Sequence, residues 1–135
     1  MHIRRISFLG VRTANFDAMT TFVRDVLGLP MSQPDRDWAI FGLESGKRDY
    51  FEIYGPGHSD ERLMTAVSDG PIAAFAVDDL LQARAELEAA GAEMVSEVIW
   101  ASDLFGNAGY EGFGWFFFRA PDGNVYLLQQ EGSSP

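Results

Sequence analysis

Apolar residues along this chain change period in the same order twice, from strand-like runs to helical spacing and back to strands. In the first half Ile6, Phe8, Leu9 and Val11 mark a strand over residues 3–12. Phe16, Met19, Phe22, Val23, Val26 and Leu27 then recur at helical spacing and predict a helix to Leu27 with one buried stripe. Asn15 is its expected N-cap, because its side chain can accept from the free N–H groups that open a helix. Asp17 follows where the helix dipole favours negative charge, and Gly28 supplies the left-handed residue that ends a helix. Strands are expected at Leu29–Ser32, Trp38–Leu43 and Tyr50–Tyr54, the last two separated by the turn-like Glu44-Ser45-Gly46-Lys47. Gly55-Pro56-Gly57-His58-Ser59-Asp60 then opens a surface connection to about Gly70.

The second half repeats this order. A strand over Ile72–Val77 leads to a helix capped by Asp78 or Asp79, with Leu80, Ala83, Leu87 and Ala90 on one face and Gly91 at its end. Met94–Trp100, Trp115–Phe118 and Val125–Gln129 read as strands, the last entered through the turn Pro121-Asp122-Gly123-Asn124. Ala101 to Gly112 mixes glycine with aromatics over an unusually long connection, as lids and binding loops do. Ser133-Ser134-Pro135 is expected to fray. The pattern predicts an α+β fold in a single domain, with module one at about 1–57, a connection at 58–70 and module two at about 71–131.

Composition narrows the function. With 135 residues, 47% of them apolar and 22% charged, the chain suits one globular unit rather than a disordered one. Cysteine is absent, which removes disulfides, thiol nucleophiles and thiolate metal sites. No apolar run approaches the roughly 20 residues that cross a bilayer. Met1-His2-Ile3-Arg4-Arg5-Ile6 lacks the apolar core of a signal peptide, so a cytoplasmic location is expected. The net charge of −10 is concentrated in residues 63–135, where 11 acidic side chains face only Arg84 and Arg119. Such a surface repels nucleic acid and anionic membranes and attracts cations. Two readings of the acidity stay open, solubility alone or attraction of a cationic ligand.

Three segments together resemble the vicinal oxygen chelate superfamily, which includes glyoxalase I, extradiol dioxygenases and bleomycin-resistance proteins. They are Phe22-Val23-Arg24-Asp25-Val26-Leu27-Gly28-Leu29, Phe75-Ala76-Val77-Asp78-Asp79 and Ala120-Pro121-Asp122-Gly123-Asn124. The resemblance spans nearly the whole chain. It implies two βαβββ modules, curled mixed sheets forming a cleft, and a homodimer. It also implies four positions from which metal-using members hold a divalent ion. Here these positions fall on Phe8, Glu52, Ile72 and Leu127. Three of them offer no donor atom, and a divalent ion needs about three or four. No metal and no other cofactor is therefore expected.

Strand alternation places Phe8, Gly10 and Arg12 together, as it does Tyr50, Glu52 and Tyr54, Ile72, Ala74 and Ala76, and Val125, Leu127 and Gln129. If these sets face the cleft, its lining is apolar with a few polar groups, which suits an organic ligand. The candidate ligand-binding residues are Phe8, Arg12, Tyr50, Glu52, Tyr54, Ile72 and Leu127, joined by the aromatics Trp100, Phe105, Tyr110 and Trp115. Those four aromatics fit a core or a subunit interface equally well. Glu52 is the candidate catalytic residue: burial raises a carboxyl towards the range of a general base, and a neighbouring arginine lowers it. His58 reads as a solvated loop residue and Asp78-Asp79 as helix capping.

The expected function is a metal-independent binding protein that encloses an aromatic or cationic small molecule, between two subunits as in bleomycin-resistance proteins. The alternatives are a metal-independent isomerase or lyase with Glu52 as base, and a regulatory module without chemistry.

Overall fold

The computed structural model describes residues 1–34, 37–43, 50–57, 70–106 and 108–132. The predicted turn at residues 44–47, His58 and most of the following connection, and the C-terminal Ser133-Ser134-Pro135 lie outside the described residues. The chain is α+β and forms two compact units, one of Ser7–Ala73 and one of Met1–Ile6 with Ala74–Pro135. Strands β1 (Ile3–Arg12) and β5 (Gly70–Val77) each pass from one unit into the other.

In the unit Ser7–Ala73 the sheet order is β2 (Met31–Pro34), β3 (Trp38–Gly42), β4 (Tyr50–Tyr54), β1. It is a mixed sheet: β4 runs antiparallel to β3 and parallel to β1. Helix α1 (Phe16–Thr21) covers one face, where Phe16 and Val23 pack on Ala39, Phe41 and Ile53.

The predicted helix continues past α1 as a wider, π-helical turn over Phe22–Val26, in which the Leu27 N–H reaches back five residues to the Phe22 carbonyl. This corrects the expectation of one buried stripe. Phe16 and Val23 are buried and Met19 is half-buried, but Phe22, Val26 and Leu27 are exposed. The wide turn holds an extra residue, so positions after Val23 rotate away from the line that α-helical spacing predicts. Asn15 occupies the N-cap position without a side-chain cap; instead its own N–H donates to Thr13 Oγ1.

In the other unit β5, β9 (Val125–Gln130), β8 (Gly114–Arg119) and β6 (Glu93–Met94) follow in order, and β7 (Ile99–Trp100) also pairs with β8. Helix α2 (Leu80–Ala89) buries Leu80 and Ala83 against Val77, Phe116 and Leu128. Asp79 is its cap, accepting from the Gln82 N–H at 3.0 Å. The first residues of β1 are tied here by ion pairs from the Met1 amine to Glu86, Arg4 to Asp78 and Arg5 to Glu131.

The long connection expected over residues 101–112 is instead largely helical. It holds α3 (Ala101–Phe105) and a 3₁₀ turn (Ala108–Tyr110). Gln130 holds its end, donating to the Gly112 carbonyl while accepting from the Leu80 N–H. The expected strand Met94–Trp100 is two short ones, β6 and β7. Between them the Val95 and Ser96 N–H groups both turn to the Phe117 carbonyl, which interrupts the ladder.

One residue in the first unit has to be glycine for packing reasons. A Cβ at Gly10 lies 2.6 Å from Cε2 of Tyr54, whose ring rests on the bare β1 backbone. Gly10→Ala must push that ring aside, so urea unfolding should show a loss of about 1–3 kcal/mol.

Candidate functional site

Register assigns the two faces of the sheet in the unit Ser7–Ala73. Phe8 pairs with Tyr50, Gly10 with Glu52 and Arg12 with Tyr54 across β1 and β4. Across β3 and β4, Ile40 pairs with Glu52 and Trp38 with Tyr54. In-register neighbours project to the same side, so these eight residues share the face opposite α1. Six of them were not separable from the sequence beyond their strand alternation; Trp38 and Ile40 were not among the expected site residues. Their own alternation in the Trp38–Gly42 strand was the signal, but it cannot reveal which strand lies next to it.

Glu52 lies at the centre of this face and is 6% exposed. Its Oε1 accepts from Trp38 Nε1 at 3.0 Å, and its Oε2 accepts from the Tyr54 hydroxyl at 3.1 Å. Burial pushes the Glu52 carboxyl up to about 7, against the two hydrogen bonds, which favour the ionised form. Burial likewise raises the Tyr54 hydroxyl well above its ordinary range, and the adjacent carboxylate adds to this.

These residues do not fit a divalent ion. Phe8, Ile72 and Leu127 present only carbon, and both Glu52 oxygens are already held by Trp38 and Tyr54. The register neighbours of Glu52, Gly10 and Ile40, and those of Leu127, Ala74 and Phe117, add no donor side chain. Among the described residues no three His, Cys, Asp or Glu side chains gather to hold an ion. In this structure both oxygens of the Glu52 carboxyl accept hydrogen bonds.

At the end of the same face Arg12 lines a depression of about 370 Å³ with Thr13, Ala14 and Pro56. A second, of about 520 Å³, shares Ala14 and Pro56 and extends to Asn15, Phe16, Asp17, Ala18 and Asp37. Neither is lined by Glu52. Sequence reasoning missed Thr13, Asp37 and Pro56; here the Asp37 carbonyl accepts from the Gly55 N–H and the Thr13 N–H donates to the Tyr54 carbonyl.

Ile72 is buried on β5, and Leu127 is buried on β9 beside Ala74 and Phe117. The four aromatics do not form one wall. Trp100 packs against the α2 core cluster, and the missing side chain of Gly114 makes room for its ring. Trp115 points to the opposite side of β8, in register with Gln129 and edge-on to Phe113. Phe105 and Tyr110 contact each other, with ring centroids 5.1 Å apart, and both are exposed. Among the described residues no helix is long and apolar enough to cross a membrane.

The fold is that of the vicinal oxygen chelate superfamily. The chain superposes on a Mn(II)-bound glyoxalase from Novosphingobium aromaticivorans with a TM-score of 0.68 at 23% identity, covering 98% of this chain and 42% of that one. A methylmalonyl-CoA epimerase in complex with methylmalonyl-CoA and ammonium gives 0.67 at 18% identity, covering 99% of this chain and 100% of that one. A variant of the Streptomyces coelicolor methylmalonyl-CoA epimerase, in complex with 2-nitronate-propionyl-CoA, gives 0.66 at 18% identity, with 99% and 100% covered. No protein-family model and no curated protein matches the sequence.

The raised carboxyl has a measurable consequence for stability. Between its ordinary value of 4.5 and about 7, the folded chain keeps a proton on Glu52 that the unfolded chain has released. Stability from this group therefore falls as pH rises through that window, by about 3 kcal/mol in all, and is level above it. Urea unfolding of Glu52→Gln should lack that part of the slope, because its side chain does not titrate.

Proposed function

We propose that the chain is a metal-independent small-molecule-binding protein of the glyoxalase/bleomycin-resistance type. It takes an aromatic or cationic organic compound on the Glu52 face and acts as a cytoplasmic homodimer. The observation that carries this reading is Glu52 itself. Its carboxyl is set among Phe8, Ile40 and Tyr50 and oriented by Trp38 and Tyr54, where an ion-binding site would need further donors. Apolar lining supplies affinity, and one fixed polar group supplies orientation. The depressions beside Arg12 extend this face with polar groups, including Asp17 and Asp37.

A second reading is favoured by the carboxyl lying at about 7, which suits a general base at neutral pH. In it Glu52 abstracts a proton from a bound carbon acid, in line with the epimerase activity named for the structural neighbours. Releasing one of its two donors is then a required step.

Trp38 reports directly on the site through its bond to Glu52. A variant with Trp100→Phe and Trp115→Phe should show a saturable change in Trp38 emission with aromatic cations. Adding Glu52→Gln should weaken that binding about tenfold. No response to any such compound up to about millimolar, the weak end of ligand affinity, overturns the binding reading. Solvent-deuterium exchange into methylmalonyl-CoA, lost in Glu52→Gln, would establish the second reading instead.

A further inference from the structure

The π-helical turn after α1 carries apolar side chains that the core does not use. Regular α-helical winding would keep Val26 and Leu27 near the stripe of Phe16 and Val23, and the wide turn swings them outward. Val26 is 68% exposed, Leu27 56% and Phe22 46%. The Leu29 N–H donates to the Val23 carbonyl and the Gly42 N–H to the Pro30 carbonyl. The chain leaving the turn is thereby fixed beside the end of β3, next to Leu43, which is also exposed. Leu9 is exposed too. It is in register with Phe51, which packs on the α1 core cluster, so Leu9 belongs to the same side of the sheet.

Five large apolar side chains, each about half exposed, present on the order of 400 Å², the size at which a patch marks an interaction site. That is about half of the roughly 800 Å² each partner gives to a stable association, and about half is the apolar share of such interfaces. Charge selects the partner. The chain carries −10, so two copies repel unless the charges at their contact are complementary. On this turn Arg24 and Asp25 stand side by side with opposite sign, bonded to each other at 2.8 and 3.0 Å. An exposed pair of this kind contributes little by itself, so its members exchange partners at little cost. Across a two-fold axis the same surface meets itself, and Arg24 of each copy can face Asp25 of the other. The exposed Leu104, Phe105 and Tyr110 lack this property, because Asp103 and Glu111 flank them in sequence and two copies would set acid against acid there.

We propose that two copies of this chain associate through Phe22, Val26 and Leu27, with Leu9 and Leu43 beside them and Arg24 and Asp25 paired across the axis. This rests on the homodimer in the reading above and gives it a surface. The surface lies on the α1 side of the sheet, so a dimer formed there leaves the Glu52 side of the same sheet for a ligand.

Sedimentation velocity of the full chain at concentrations up to about 0.1 mM tests this. The unmodified chain should dimerise, and Val26→Lys should weaken the dimer at least about tenfold. Arg24→Glu and Asp25→Lys should each weaken it as well, because each leaves a single sign of charge on the turn. An equimolar mixture of those two variants should restore the dimer, since one then faces the other with opposite sign. All three positions are exposed, and circular dichroism confirms that each variant folds. Should Val26→Lys not fold, the mixture decides. A dimer as tight in Val26→Lys as in the unmodified chain overturns this surface and leaves the homodimer standing, and so does a mixture with no more dimer than either charge variant alone. An unmodified chain that stays monomeric throughout overturns the surface and the homodimer together, while ligand binding is read separately by Trp38 emission.

Discussion

Placing a carboxyl inside an apolar sheet face is the constraint from which the rest of this site follows. An ionised carboxylate removed from water is strongly disfavoured unless donors replace its hydration. Trp38 and Tyr54 each supply one, and their donors reach opposite oxygens of the same group. Two neutral donors do not replace a full hydration shell, so the carboxyl remains shifted towards its neutral form. Its electrostatics are therefore poised rather than locked.

That arrangement explains several neighbouring choices. Gly10, on the adjacent strand, leaves room for the Tyr54 ring that reaches Glu52. Trp38 reaches the other oxygen because the antiparallel β3 brings it into register with Tyr54. The opposite face of the same strands is given to Ala39, Phe41 and Ile53, which the α1 side chains cover. One sheet thus separates a packed side from a side carrying chemistry, and period-2 alternation along each strand achieves the separation.

Much of the fold was legible in the residues because periodicity and caps act locally. The strands Trp38–Gly42 and Tyr50–Tyr54, the helix opened by Asp79 and the final hairpin at Pro121–Asn124 all follow from short-range preferences. The π-helical turn after Thr21 is closed locally, by the Leu27 N–H and the Phe22 carbonyl. The helical winding at Ala101–Phe105 and Ala108–Tyr110 and the break between β6 and β7 involve backbone groups whose partners lie far along the chain. The Gln130 side chain, for example, holds a carbonyl 18 residues earlier.

For the site, the sequence by itself determined the type of chemistry available: a lone carboxylate at Glu52, carbon side chains at Phe8, Ile72 and Leu127, and no cysteine. Donor count is a property of residue identity, so no folding is needed to read it. Only the tertiary structure decided what that carboxylate does. Its partners come from β3 and from two residues further along β4, and its protonation is set by burial, a quantity that exists only once the strands are side by side. The same pairing separated Trp100 from Trp115, because adjacent register positions on β8 point to opposite faces of the sheet.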